Sequence, residues 1–381
     1  MFDYTVQPND TIYSIARLFG ITTAQLLSAN PILQYGGGLA VGQTLHIPQL
    51  EAVRPVIEVN GDTYPTVSYE VLWNALPYLT YLSILSYNVR PDGTLSSIDD
   101  TQLIGTARQR GVAPLMTVTN IDPSIDPITG FSGELTHALL SDAALSQTLI
   151  TNIIATLNGK DYYGVNINFA ELYSSDYIAF AEFLRSLATQ LHPLNYIVVG
   201  SPRISVLIEH QTALIEANSF FPFNSSLDRL ILRTTEWVCT YEYHEMSYID
   251  ELQEAIDFAT RLISSPKVLL SIPGCCYDWR LGAEYKELYR LLSSAQADAL
   301  VLETGGVFRI DPRSRTSHFT YFTQDGALHE VLCQSDTNLR APLDLVEAYN
   351  LGGVSFHTIE DFSVTSYQMV TAEFEIRNTS L

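Results

Sequence analysis

Eight short, apolar, β-rich runs at residues 55–60, 79–87, 113–120, 164–170, 196–201, 228–235, 267–273 and 352–356 recur along the chain, with longer helical stretches between them. Parallel strands need crossover connections, and strands covered on both faces read as near-continuous hydrophobic runs. The pattern predicts an α/β chain whose eight strands close into a parallel (β/α)8 barrel over residues 54–381. The gap between the seventh and eighth runs holds β-like pieces of its own, His318-Phe319-Thr320-Tyr321-Phe322 and His329-Glu330-Val331-Leu332. A small α+β insertion is therefore expected at about residues 278–338. On the C-terminal face of a barrel it would raise one wall of the cleft.

Residues 1–49 stand apart, joined to the barrel by a polar and charged linker at 49–54. Asp3-Tyr4-Thr5-Val6 reads as a strand, and Asn9-Asp10-Thr11 supplies a cap before Ile12, Ile15, Ala16 and Phe19, which recur at helical spacing. Gly20 closes that helix, Thr22 or Thr23 caps a second carrying Leu26 and Leu27, and Leu45-His46-Ile47-Pro48 completes a second strand. The predicted order is βααβ.

Composition narrows the partners. Of 381 residues, 46% are hydrophobic, enough for a large core and a small accessory domain. Acidic residues number 42 against 20 basic ones, and a formal charge of -22 repels phosphate backbones and anionic headgroups. Neither nucleic acid nor a membrane is expected as a partner. No run approaches bilayer-spanning length, and the N-terminus lacks the basic-then-apolar order of a signal peptide, so a soluble protein outside the usual export route is expected. The four cysteines, at 239, 275, 276 and 333, are too scattered for a disulfide framework and are expected as reduced thiols. No HExxH spacing occurs, and His244-Glu245 lacks a second histidine one turn on, so no metal and no cofactor are expected.

The chemistry turns on the fourth run. Strand alternation places Asn166, Asn168 and Ala170 on one face, the face that in a barrel enzyme delivers chemistry at the strand's C-terminal end. Two amides and a methyl group cannot donate a proton to a leaving group. Glu171 comes next and is expected to face away unless the strand has ended or bulged there.

The front module closely resembles a LysM module. The resemblance is carried by Tyr4-Thr5-Val6, Asp10-Thr11, Ile15-Ala16, Leu26, Asn30-Pro31 and residues 41–48, Val-Gly-Gln-Thr-Leu-His-Ile-Pro. Asn9 departs from it, standing where the family usually has glycine. The resemblance implies weak binding, by a single copy, of N-acetylglucosamine polymers such as peptidoglycan or chitin. The groove would lie between the Asp10-Thr11-Ile12 and Asn30-Pro31-Ile32 loops.

Residues 54–360 resemble glycoside hydrolase family 18, in particular spore cortex fragment-lytic N-acetylglucosaminidases that carry LysM modules in front. The matching segments include residues 79–83, Ser86-Tyr87, Asp92-Gly93, residues 112–116, Thr119-Asn120, Gly164-Val165-Asn166-Ile167, Tyr277-Asp278-Trp279, His329-Glu330-Val331 and residues 351–356. The resemblance implies a TIM (β/α)8 barrel and substrate-assisted chemistry. In that chemistry a glutamic acid protonates the glycosidic oxygen, an aspartate two residues earlier orients the acetamido group, and a sixth-strand tyrosine binds its carbonyl oxygen. Matched by position, the acid falls on Ala170, the aspartate on Asn168, and the Met-x-Tyr-Asp pattern on Arg233-Thr234-Thr235-Glu236. The tyrosine has become Thr235, and the tryptophan that floors the sugar subsite falls on His357.

The implied cleft is lined by Tyr87, Asn120, Asn166, Asn168, Arg233, Glu236 and His357, with Tyr277 and Trp279 as a stacking wall. Arg233 either binds an anionic group or pairs with Glu236. The expected function is glycan binding by LysM and by a barrel that is inactive or impaired. The alternatives are an active N-acetylglucosaminidase on spore peptidoglycan using Glu171, and a structural protein of a spore layer. By analogy with the family the protein is expected on the spore, with a plain cytoplasmic location as the alternative.

Overall fold

The computed structural model describes residues 2–8, 10–19, 21, 23–34, 39–48, 54–122, 130–202, 223–233, 248–281, 289–310, 317–333 and 339–379, some of them by backbone alone. The chain divides into two compact units, Met1–Arg54 and Pro55–Leu381.

In the first unit β1 (Phe2–Thr5) pairs antiparallel with β2 (Thr44–Ile47), Phe2 opposite Ile47. Between them run helices Ile12–Leu18 and Thr23–Ala29 and a one-turn helix, Pro31–Gln34. That third turn stands where a loop was expected. Proline tolerates the first helical position because its missing N–H has no intrahelical partner to lose. Val6, Ile15, Ala16, Leu26, Leu33, Leu45 and Ile47 form the core.

In the second unit the seven strands β3 (Val56–Thr63), β4 (Tyr81–Asn88), β5 (Ala113–Thr119), β6 (Gly164–Asn168), β7 (Ile197–Gly200), β8 (Arg229–Leu232) and β9 (Val268–Pro273) pair in sequence, all parallel. An insertion follows, with β10 (Cys276–Arg280), β11 (Tyr289–Leu292), β12 (Arg309–Ile310), β13 (Ser317–Phe322) and β14 (Leu328–Cys333) ordered β11-β10-β14-β13-β12. Strand β15 (Gly353–His357) then joins β9 to β3 and closes the eight-stranded barrel, while β16 (Glu375–Ile376) adds to the start of β3. The closure needs Gly353: a Cβ there would sit 1.8 Å from the Glu58 carbonyl oxygen.

Two apolar layers hold this unit. Outside, alternate strand residues such as Val59, Ile84, Val118, Ile167 and Phe356 are buried among helix residues such as Ile153, Phe180, Leu184 and Leu343. Inside, Tyr81, Ala113, Leu115, Val199, Ile231 and Leu269 fill the barrel. A filled interior leaves only the mouths for function.

The insertion corrects one expectation. Cys276 and Cys333 face each other across the β10–β14 pair and form a disulfide, so these two thiols are not reduced. They are 57 residues apart in sequence and only the antiparallel register brings them together. Cys275 is free, and burial first of all pushes its thiol pKa up.

Candidate active site

Outward-facing Ile57 and Val59 leave Glu58, Asn60 and Asp62 pointing into the barrel from β3, and the same alternation turns Arg229, Ile231 and Arg233 inward from β8. At the lower end Glu58 is gripped by Arg229 and by Arg377, a buried carboxylate with two cations. Above it lies the apolar layer, and above that a polar layer. The Asn60 amide donates to Asp62 Oδ1 (2.9 Å) and Ser355 Oγ (2.9 Å), and its oxygen accepts from Ser83 (2.8 Å).

At the top, Arg233 Nη2 lies 3.0 Å from His357 Nε2, and His357 Nδ1 lies 2.7 Å from Asp62 Oδ2. A guanidinium only donates, so the imidazole nitrogen facing it accepts. In that tautomer the ring proton lies on Nδ1 and is donated to Asp62. Burial alone would push the Asp62 carboxyl up, but the hydrogen bond and charge of His357, the Arg233 charge and the Asn60 amide outweigh it and hold the pKa below the ordinary carboxylate value. Asp62 is thus an ionised acceptor at neutral pH, and a poor proton donor. Tyr64 sits at the same mouth, half exposed; burial foremost raises its hydroxyl, with Asp62, Glu360 and Asp361 adding and Arg233 opposing.

The strand carrying the expected chemistry ends early. Asn166 accepts from Ser201 (2.5 Å), Asn168 and Ala170 are buried, and regular pairing stops at Asn168. Phe169 faces out, against Phe180 and Phe183 at 6.1 and 6.2 Å between ring centroids. Beyond it Asn120 holds the Ala170 backbone, accepting from its N–H (3.0 Å) and donating to its C=O (2.7 Å). Glu171 then takes a left-handed backbone, φ 56°, with its carbonyl oxygen closing on Gly133, where a Cβ would come within 2.3 Å. The alternation that would turn Glu171 away therefore does not reach it.

Several expected lining residues lie elsewhere. The Tyr87 hydroxyl donates to buried Asp100 in the layer between barrel and helices, because a register shift between Ile84 and Tyr87 turns the ring outward. Asn120 spends its side chain on Ala170, Ser132 and Thr136. Tyr277 and Trp279 share a face of β10 but are only 4% and 8% exposed, so neither offers an open stacking face. His357 uses both ring nitrogens, which connect Asp62 to Arg233. Thr235 and Glu236 lie outside the described residues.

In the front unit the side chains of three expected sugar contacts are engaged internally. Asp10 accepts from Tyr4 (2.8 Å) and Gln7 (2.7 Å), Thr11 and Ser14 cap each other at the helix start, and Asn30 ties Leu26 to both backbone groups of His46. Ile12 is half-buried against the core, Pro31 is exposed, and the Ile32 side chain lies outside the described residues. Tyr13, Leu18 and Val41, 68%, 64% and 65% exposed, are large apolar side chains that this unit offers to solvent. Asp62, the inward carboxylate at the mouth, was missed in sequence because the expected strand stopped at residue 60; one more step of the alternation through Glu58 and Asn60 reaches it.

Residues 4–48 match the LysM domain model. The cortical fragment-lytic enzyme of Bacillus anthracis is 27% identical over 324 residues, covering 83% of this chain and 74% of that protein. The crystal structure of the Bacillus cereus spore cortex-lytic enzyme SleL superposes with a TM-score of 0.73 at 24% identity, covering 99% of this chain and 87% of that one. A chitinase from Chromobacterium violaceum superposes at 0.70 with 20% identity, covering 83% and 98%. The chain is therefore a LysM domain followed by a glycoside hydrolase-like barrel, homologous to cortex-lytic glycosidases.

Proposed function

We propose that this protein binds a polymer containing N-acetylglucosamine, of the peptidoglycan type, and that its barrel turns over little or none of it. The observation that carries this reading is the methyl group of Ala170 at the position where the family's proton donor would stand. Asp62 does not replace it, because its hydrogen bonds keep it an ionised acceptor. Losing general-acid help costs roughly a hundred- to ten-thousand-fold in rate. Asn168 and Thr235, at the positions that would orient the internal nucleophile, support the same conclusion.

One observation favours a second reading. The left-handed backbone at Glu171 lies beyond the end of β6, which frees its carboxylate from strand alternation to act as the acid. Resemblance to proteins named for the spore cortex supports a place on the spore. Cosedimentation of the full chain with purified cortex peptidoglycan tests the binding. The protein is expected in the pellet with no soluble fragments released; protein left in the supernatant would contradict the proposal.

A further inference from the structure

Arg233 is the cation at the barrel mouth whose partners do not account for it. Its one hydrogen bond among the described residues is to His357, through Nη2, and its Nε is buried without an acceptor. The neighbouring carboxylates direct most of their oxygens elsewhere, while Glu360 Oε2 is buried without a hydrogen bond. Asp62 receives His357 and Asn60, Glu360 Oε1 receives Thr63 (3.0 Å) and the Tyr64 N–H (3.2 Å), and Asp361 receives Thr358 (3.0 Å). A buried donor left unmade is costly, and a guanidinium matches the two oxygens of a carboxylate. His357 holds Nη2 in place from behind, with Asp62 fixing His357 in turn, so the fork is oriented before any ligand arrives.

We infer that Arg233 is a specificity residue of the barrel cleft, selecting a glycan that carries a carboxylate over a neutral one. The inference rests on the reading that the cleft binds glycan. It distinguishes acidic sugars, such as the lactyl-bearing sugars of peptidoglycan, from neutral chitin-type chains. Arg233 stands among the acidic groups Asp62, Glu360 and Asp361 on a chain of net charge -22, so an anion drawn to this mouth depends on that cation.

The test is isothermal titration of the full-length protein with two probes, chitotetraose and an N-acetylglucosamine–N-acetylmuramic acid disaccharide with a free carboxyl group, repeated with Arg233→Gln and Arg233→Lys. Arg233→Gln is expected to weaken the acidic probe by about tenfold to a hundredfold and chitotetraose by far less. Arg233→Lys should fall between, keeping the charge and losing the fork. In the unaltered protein, added salt should weaken the acidic probe alone, a readout that stands even if the variants fold poorly. Equal response of both probes to salt and to substitution overturns the inference while leaving glycan binding intact. Failure of both probes to bind overturns the glycan reading as well.

Discussion

Asn120 holds both backbone polar groups of Ala170, 3.0 Å at the nitrogen and 2.7 Å at the oxygen, and so fixes the chain just before Glu171. Replacing it with alanine leaves buried backbone groups of Ala170 and Ser132 without their partner. Asn120→Ala should lower stability by about 2–4 kcal/mol. Urea unfolding measures this, and an unchanged midpoint would show that the clamp does not matter to the fold.

Acid should destabilise the barrel through Asp62 and Asp100. For each, burial pushes the carboxyl up and is outweighed, by His357, Arg233 and Asn60 around Asp62 and by Lys160, Tyr162 and Tyr87 around Asp100, so both folded-state pKa values lie below the ordinary one. A depressed acid contributes stability that is complete above its unfolded pKa, about 3.9, and is lost as pH falls through the folded value. Unfolding midpoints should therefore be level near neutrality and drop below about pH 4. Asp62→Asn should flatten part of that fall; an identical acid limb would exclude Asp62 as a source.

The eight strands and the front module were legible because an apolar run covered on both faces leaves a strong signature. What sequence concealed has local causes. The strand β3 continues to Thr63 through Gly61, Asp62 and Thr63, polar residues that a hydrophobic criterion ends before. Tyr87 left the cleft at a register shift that no periodicity announces. Glu171 escaped alternation because β6 stops at Asn168, and Asn30, Asp10 and Thr11 matched a motif whose side chains hold the turns together.

The Cys276–Cys333 bridge makes a chemical prediction. Under denaturing conditions without reductant, alkylation should label Cys275 and spare Cys276 and Cys333, and reductant should expose both of these. Reduction should cost about 2–4 kcal/mol of stability by releasing the unfolded chain. Labelling of Cys276 and Cys333 before reduction would mean that the bridge does not form.

The proposed loss of a proton donor is tested most directly by counting reducing ends released from purified cortex fragments by the unaltered protein and by Glu171→Gln. The account predicts no release above the buffer blank from either. Turnover by the unaltered protein that disappears in Glu171→Gln would contradict it and make Glu171 the acid of a working glycosidase.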